Sequence, residues 1–223
     1  MAKQDRAIRT RRTILAAAAQ VFEARGYQAA TITEILATAG VTKGALYFHF
    51  ESKDQLAQGV LAEQAQSVTV PTRNCKIQEV VDTVFLHAYR LQTDPMVRAA
   101  VRLSLDQQAT ELDRKGPFVG WSEIILNMLR EAHGELLPHV VAAETADVLV
   151  GSFAGVQAMS QIISNYQDLD HRVSELLRHI LPNVALSSVL ATVDLSAGRG
   201  RAVYEEVGGT ARMEAVREAA AVG

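Results

Sequence analysis

Residues 41–50, from Val41 to Phe50, constrain this chain more than any other stretch. They read as a short helix that presents a cation, aromatic side chains and an imidazole, with Gly44 near its start where a backbone must come close to something. Directly before it, Thr31 and Glu34 stand three residues apart, the spacing of a capping box, and Gly40 fits the left-handed stop after a helix. Ile35, Leu36 and Ala39 supply the apolar side between those signals. Two short helices joined by Gly40, Val41 and Thr42 make a helix-turn-helix, whose second helix enters a DNA major groove by its N-terminal end.

Charge supports that reading once it is divided along the chain. The net charge is −3, which alone argues against nucleic acid. Residues 1–50, however, carry seven basic side chains (Lys3, Arg6, Arg9, Arg11, Arg12, Arg25 and Lys43) against Asp5, Glu23 and Glu34. The first fifty residues are therefore +4 and the rest −7. A basic head on an acidic body is the distribution expected where one end meets phosphate, although a solvated charged helix gives the same count.

Other compositional features bound the fold. Five prolines and few alternating β-branched runs point to an all-α chain. A single cysteine, Cys75, excludes an internal disulfide and a multi-cysteine zinc site, and suits a reducing, cytoplasmic home. The opening Met-Ala-Lys-Gln-Asp-Arg has no apolar stretch, so no secretory signal is expected. Residues 148–167 lack any charge, which is about the length of a membrane span. Seven Ser, Gln and Asn side chains within them favour a helix buried in a dimer or beside a cavity, with no membrane.

The apolar pattern places a first helix from about Ile8 to Arg25, stopped by Gly26, with Ile14, Leu15, Ala18, Ala19 and Phe22 on one face. Helices at 32–39 and 43–49 follow. Ser52 and Gln55 form a second capping box that opens a helix at Lys53, running to about Ser67. Further helices are expected at about 76–92, 95–109, 118–133, 143–165 and 169–181. The helix at 95 opens on an Asp94 cap with Pro95 at its first position. A short helix within 184–195 is expected as well. The chain so divides into a DNA-binding head at 1–52, a helical effector-binding and dimerisation body at 53–195, and a flexible tail at 196–223, where glycines accumulate.

Thr31 through Phe50, with Ser52 and Lys53, resembles the DNA-binding domain of the TetR family of repressors. The run from Val41 to Phe50 followed by Ser52-Lys53 is similar to a narrower group, the γ-butyrolactone autoregulator receptors of actinomycetes. That likeness continues more thinly through Val101-Arg102-Leu103, Trp121, Glu135 to His139 and Phe153 to Gln157. It implies a homodimeric repressor on double-stranded, pseudo-palindromic operator DNA, released by a small lactone or butenolide effector. A sibling regulator sensing an antibiotic or another small molecule would read similarly.

The candidate DNA contacts divide by role. Thr42 and Lys43 sit where phosphates or base edges lie, and Lys43 suits a guanine edge or a phosphate. Gly44 permits close approach of the sugar-phosphate. Tyr47 and His49 can donate to phosphates, and Tyr47 can pack on a thymine methyl. Thr31 and Lys53 open helices and are expected to grip backbone. Leu46, Phe48 and Phe50 read as head core, His49 as either contact or packing, and Arg9, Arg11 and Arg12 as a phosphate arm or a solvated face.

In the body, the lone Trp121 reads as core by residue type alone. The resemblance instead implies a wall of the effector pocket. Phe85, Leu105, Ala154 and Ala158 are candidates for the surrounding cavity, and Gln64 and Gln157 for hydrogen bonds to a lactone carbonyl or hydroxyl. No cofactor or metal is expected. The six histidines, at 49, 87, 133, 139, 171 and 179, form no HExxH, and no GxSxG, P-loop or GxGxxG occurs. Asp168 and Asp170 read as charges at a helix start. The remote alternative, a helical lactone-processing enzyme, lacks a catalytic set.

Overall fold

A computed structural model describes residues 2–65, 70–106 and 115–208. Eleven α-helices occur among them: α1 (Ala2–Ala29), α2 (Ile32–Ala39), α3 (Lys43–His49), α4 (Lys53–Ala65), α5 (Lys76–Thr93), α6 (Pro95–Leu105), α7 (Lys115–Glu131), α8 (Ala142–Ser164), α9 (Leu169–Ile180), α10 (Ser187–Leu190) and α11 (Arg199–Glu206). Among the described residues there is no strand, only an isolated antiparallel bridge between Leu136 and Ala185. The all-α expectation holds, and most helix bounds fall close to those expected from the apolar pattern, except that α1 begins six residues before the expected Ile8.

The chain forms two compact units, one of residues up to 67 with 94–117, the other of 68–93 with 118 onward. The first unit therefore differs from the expected head at 1–52. It takes in α4, and also α6, which the sequence left in the body. Its core joins Ile14, Leu15, Ala18, Ala19 and Phe22 of α1 to Ile35, Leu46, Phe50, Leu56, Val60 and, from α6, Ala99, Ala100 and Leu103. Charge fixes α6 in place: Arg98 pairs with the Glu23 carboxylate, and Arg102 donates to the Glu23 carbonyl. At Gly26 the backbone takes φ 77°, and the Arg102 guanidinium lies 3.3 Å from where a Cβ would stand. The helix thus breaks where expected and resumes for three residues. At Gly59 a Cβ would come within 2.7 Å of Leu15 Cδ2, so α4 closes on α1 only because that side chain is missing.

In the second unit α5 is buried on nearly every side, from Ile77 to Leu91, and packs on α9 and α11, while α8 packs on α9. Glu135 caps α5, accepting from the amides of Lys76 and Ile77 at 2.8 Å each. Asp82 is fully buried on α5. It accepts from Arg73 Nε at 2.9 Å, Gln78 Nε2 at 2.7 Å, and Arg199 through two bonds of 2.7 Å. Arg73 in turn grips Glu206 with bonds of 3.0 and 2.6 Å.

This network corrects the expectation of a flexible tail from residue 196. Residues 199–206 form α11, with Val203 fully buried. Gly200 lies so close to the Phe85 carbonyl that a Cβ there would meet it at 2.3 Å. A buried carboxylate must be answered by charge, and Arg199 supplies it from the far end of the chain. The rest of the expected tail, 209–223, lies outside the described residues.

Candidate nucleic-acid interface and effector site

The helix-turn-helix is built by its caps. Thr31 Oγ1 accepts from the Glu34 amide at 3.2 Å, and the Thr31 amide donates to Glu34 Oε2 at 3.2 Å, so both halves of the capping box form. Gly40 ends α2 at φ 63°, with its N–H on the Leu36 carbonyl. Thr42 Oγ1 then accepts from the Ala45 amide at 3.2 Å and opens α3. Leu46 and Phe50 are buried, as expected, and anchor one side of α3 to the first unit's core.

The opposite side of α3 is open. Thr42, Lys43, Gly44 and Tyr47 are exposed, Tyr47 at 43%, and His49 is half-buried. Lys43 Nζ lies 5.8 Å from the Tyr47 ring centre. A Cβ at Gly44 would meet nothing within 4 Å, so no packing among the described residues requires glycine there. Phe48 corrects an expectation. It is 79% exposed rather than core, its ring edge-on to His49 at 5.0 Å. Two residues from Leu46, it stands about 200° around the helix from it, on the outer side.

Two other expected contacts are engaged internally. The Thr31 hydroxyl, besides capping α2, donates to Glu34 Oε2 at 2.9 Å. The Lys53 ammonium donates to the carbonyls of Tyr27, Gln28 and Ala30 at 2.9, 3.3 and 3.3 Å, and lies 4.5 Å from the Tyr27 ring centre. It answers the orphan carbonyls at the end of α1. The Tyr27 hydroxyl donates to Asp54, which fastens the same corner. Arg9, Arg11 and Arg12 are exposed along α1, and the Arg11 guanidinium lies 5.1 Å over the Phe50 ring.

The expected effector residues divide between the units. Leu105 belongs to the first, at the end of α6, and is 46% exposed. The Gln64 side chain lies outside the described residues. Phe85, Trp121, Ala154, Gln157 and Ala158 all belong to the second. Phe85 is fully buried where α11 closes on α5, Gln157 is buried on α8, and Trp121, Ala154 and Ala158 are half-buried. The ring neighbours of Trp121 are His87 of α5 at 4.5 Å and Phe153 of α8 at 6.5 Å, the latter nearly parallel at 9°. His87 also lies 5.4 Å from Phe153. Burial, with Arg90 nearby as a second cause, holds the His87 imidazole at a pKa of about 3. His87 and Phe153 were not expected at this site. The sequence weighed His87 only as a metal ligand, and its one signal was its place on the apolar helix that also carries Phe85.

The outer face of α8 is apolar and open. Val148, Met159, Ile162 and Ile163 are exposed, Ile162 at 84%, and a Cβ at Gly151 or Gly155 would meet nothing within 4 Å. With 23 residues, α8 is long and apolar enough to cross a membrane by length and composition. Its other side instead carries polar packing: Ser160 and Ser164 both donate to Asp168 at 2.6 Å. Those bonds, with the Arg172 pair at 2.7 Å, hold the Asp168 carboxyl at a pKa of about 2. A helix so divided suits an interface between two proteins.

Residues 14–60 match the family described as bacterial regulatory proteins, tetR family. The A-factor receptor protein of Streptomyces griseus is 40% identical over 215 residues, spanning 92% of this chain and 77% of that protein. The crystal structure of TylP, a TetR regulator from Streptomyces fradiae, superposes with a TM-score of 0.83 at 46% identity, over 91% of this chain and 99% of that one. A structure of a γ-butyrolactone receptor (ArpA-like protein) superposes with a TM-score of 0.70 at 29% identity, over 88% and 97% of the two chains.

Proposed function

Because this chain belongs to the TetR family of bacterial regulatory proteins, we propose that it is a homodimeric, cytoplasmic repressor released from its operator by a γ-butyrolactone-like or butenolide signal. Regulators of this family bind operator DNA as dimers and bind small molecules. The relatives named above are transcriptional regulators and receptors, which leaves a lactone-processing enzyme without support.

One observation carries the DNA half of the proposal. The outer side of α3 offers Thr42, Lys43, Gly44, Tyr47 and Phe48 together, with no internal packing that requires Gly44 to be glycine. Lys43 meets a guanine edge or a phosphate, Gly44 lets the sugar-phosphate approach, and Tyr47 and Phe48 reach phosphate or a thymine methyl. Thr31 and Lys53 then act chiefly by holding the head's geometry, with His49 at its margin. For the effector half, the kinship to an A-factor receptor and the Trp121 cluster support a lactone against the indole, with Gln157 as polar partner and Phe85, Ala154 and Ala158 shaping the space. Release is a population shift: effector selects a conformation whose two α3 helices are wrongly spaced for successive major grooves.

The test is a Lys43→Ala/Tyr47→Ala double variant measured on operator DNA. Each lost base contact should cost roughly 1–3 kcal/mol of operator affinity, with the helical circular dichroism spectrum unchanged. Wild-type affinity in the folded double variant would remove α3 from the interface.

A further inference from the structure

Nine polar or charged side chains are buried among the described residues, and seven of them have partners. Gln78 and Asp82 bond each other, Glu79 takes the Arg73 amide and Lys76, Ser104 donates to the Ala100 carbonyl, Ser160 to Asp168, and Ser174 to the Leu195 carbonyl. Arg90 is also engaged. The two exceptions are His87, 7% exposed, and Gln157, 4% exposed, neither of which has a hydrogen-bond partner among the described residues.

Buried polar groups are nearly always answered, and leaving one unmet costs as much as a hydrogen bond. Two such exceptions in one place need a reason. Phe153, whose ring lies against His87, sits one helical turn before Gln157 on α8, so both groups belong to the same neighbourhood as Trp121. Among the described residues no side-chain nitrogen or oxygen fully cut off from accessible space lacks a bond, so neither the imidazole nor the amide is wholly sealed, and a small polar group can answer each. The arrangement is a half-buried indole and a phenyl ring nearly parallel to it, an imidazole against both, and a free amide one turn further on.

We propose that His87 is the specificity-determining residue of the effector site. Its imidazole hydrogen-bonds a ring carbonyl or hydroxyl oxygen of a neutral ligand whose apolar body lies against Trp121 and Phe153, and Gln157 takes a second polar group. The inference rests on the reading that this unit receives a small effector. The imidazole stays neutral at physiological pH because burial opposes its charged form, so it offers one N–H donor and one acceptor. Such a site selects for an oxygen at a defined place on a flat ring and against the hydrocarbon of the same shape.

Three probes decide it: an alkyl γ-butyrolactone, the matching 2-alkylcyclopentanone, and the matching alkylcyclopentane. Each is titrated against the whole dimer while Trp121 emission and the His87 imidazole ¹⁵N resonances are followed. The wild type should prefer the lactone over the hydrocarbon by about 10- to 100-fold, with His87 resonances shifting in step. His87→Phe keeps an aromatic ring in place and should lose that preference while still binding the hydrocarbon. His87→Gln, which keeps a donor and an acceptor, should retain most of it. A wild-type preference in folded His87→Phe, or no resonance shift on binding, overturns the proposal. If His87→Phe fails to fold, the wild-type resonance decides alone. If the ketone shows this His87 dependence but the lactone does not bind, His87 stands and the lactone reading falls. If no probe changes Trp121 emission or the His87 resonances, both are overturned.

Discussion

Lys43 and Lys53 show how two lysines ten residues apart come to different tasks. Lys43 is exposed on α3, with its ammonium 5.8 Å from the centre of the Tyr47 ring. Lys53 spends its ammonium on three carbonyls at the end of α1. Lys53→Ala should therefore lower the stability of the fold by about 1–2 kcal/mol, because those carbonyls lose their partner. Lys43→Ala should leave stability unchanged. Urea unfolding of the two variants checks this, and equal midpoints would contradict the capping role. His87 makes a second residue-level prediction. Its folded pKa of about 3 lies below the ordinary histidine value, so the unfolded chain binds the proton first. The stability that the neutral, buried imidazole contributes is whole above about pH 6.5 and is lost as pH falls toward 3, by about 1.4 kcal/mol per unit. His87→Phe should remove that slope. An unaltered acid limb of the stability curve between pH 6 and 4 would show that another group sets it.

At the scale of elements, two glycines with opposite surroundings separate fold from function. A methyl at Gly59 runs into Leu15, so Gly59→Ala should destabilise the first unit by about 1–3 kcal/mol through overpacking of α4 on α1. A methyl at Gly44 meets nothing, so Gly44→Ala should keep or slightly raise stability while weakening operator binding. Melting temperature and DNA anisotropy on the pair read both effects. Normal DNA binding by Gly44→Ala would mean that the sugar-phosphate does not approach there. Elements also show what was legible in the sequence. The caps at Thr31, Gly40, Thr42 and Asp94-Pro95 were, because each is made by residues within about four of one another. The docking of α6 on α1 was not, since it depends on Arg98 meeting Glu23 across 75 residues. Nor was that of α11 on α5, where Asp82 and Arg199 stand 117 residues apart. Phe48 was misjudged by residue type where its angle around α3 put it outside. His87 escaped notice because an unmet hydrogen bond leaves no mark in a sequence.

For the whole molecule, dimerisation is the hinge of the account. Two α3 helices reach successive major grooves only if two chains are held at a fixed spacing. We place that contact on the open apolar face of α8, and Gly155 gives a clean probe of it. Since a Cβ at Gly155 would meet no described residue within 4 Å, Gly155→Arg should fold as a single chain yet oppose pairing, because a charge buried without a partner costs several kcal/mol. Sedimentation should show a monomer with weakened operator binding; a wild-type dimer would place the interface elsewhere. The central claim, that a lactone-like signal removes this protein from DNA, is tested most directly on its own binding sites. Genome-wide capture of bound DNA identifies them, and fluorescence anisotropy then follows the dimer on the strongest site as an alkyl γ-butyrolactone is added. Release is expected at the concentrations that change Trp121 emission, with operator weakening lactone affinity by the same factor that lactone weakens operator affinity. Saturation of the Trp121 signal with no change in DNA affinity would contradict it.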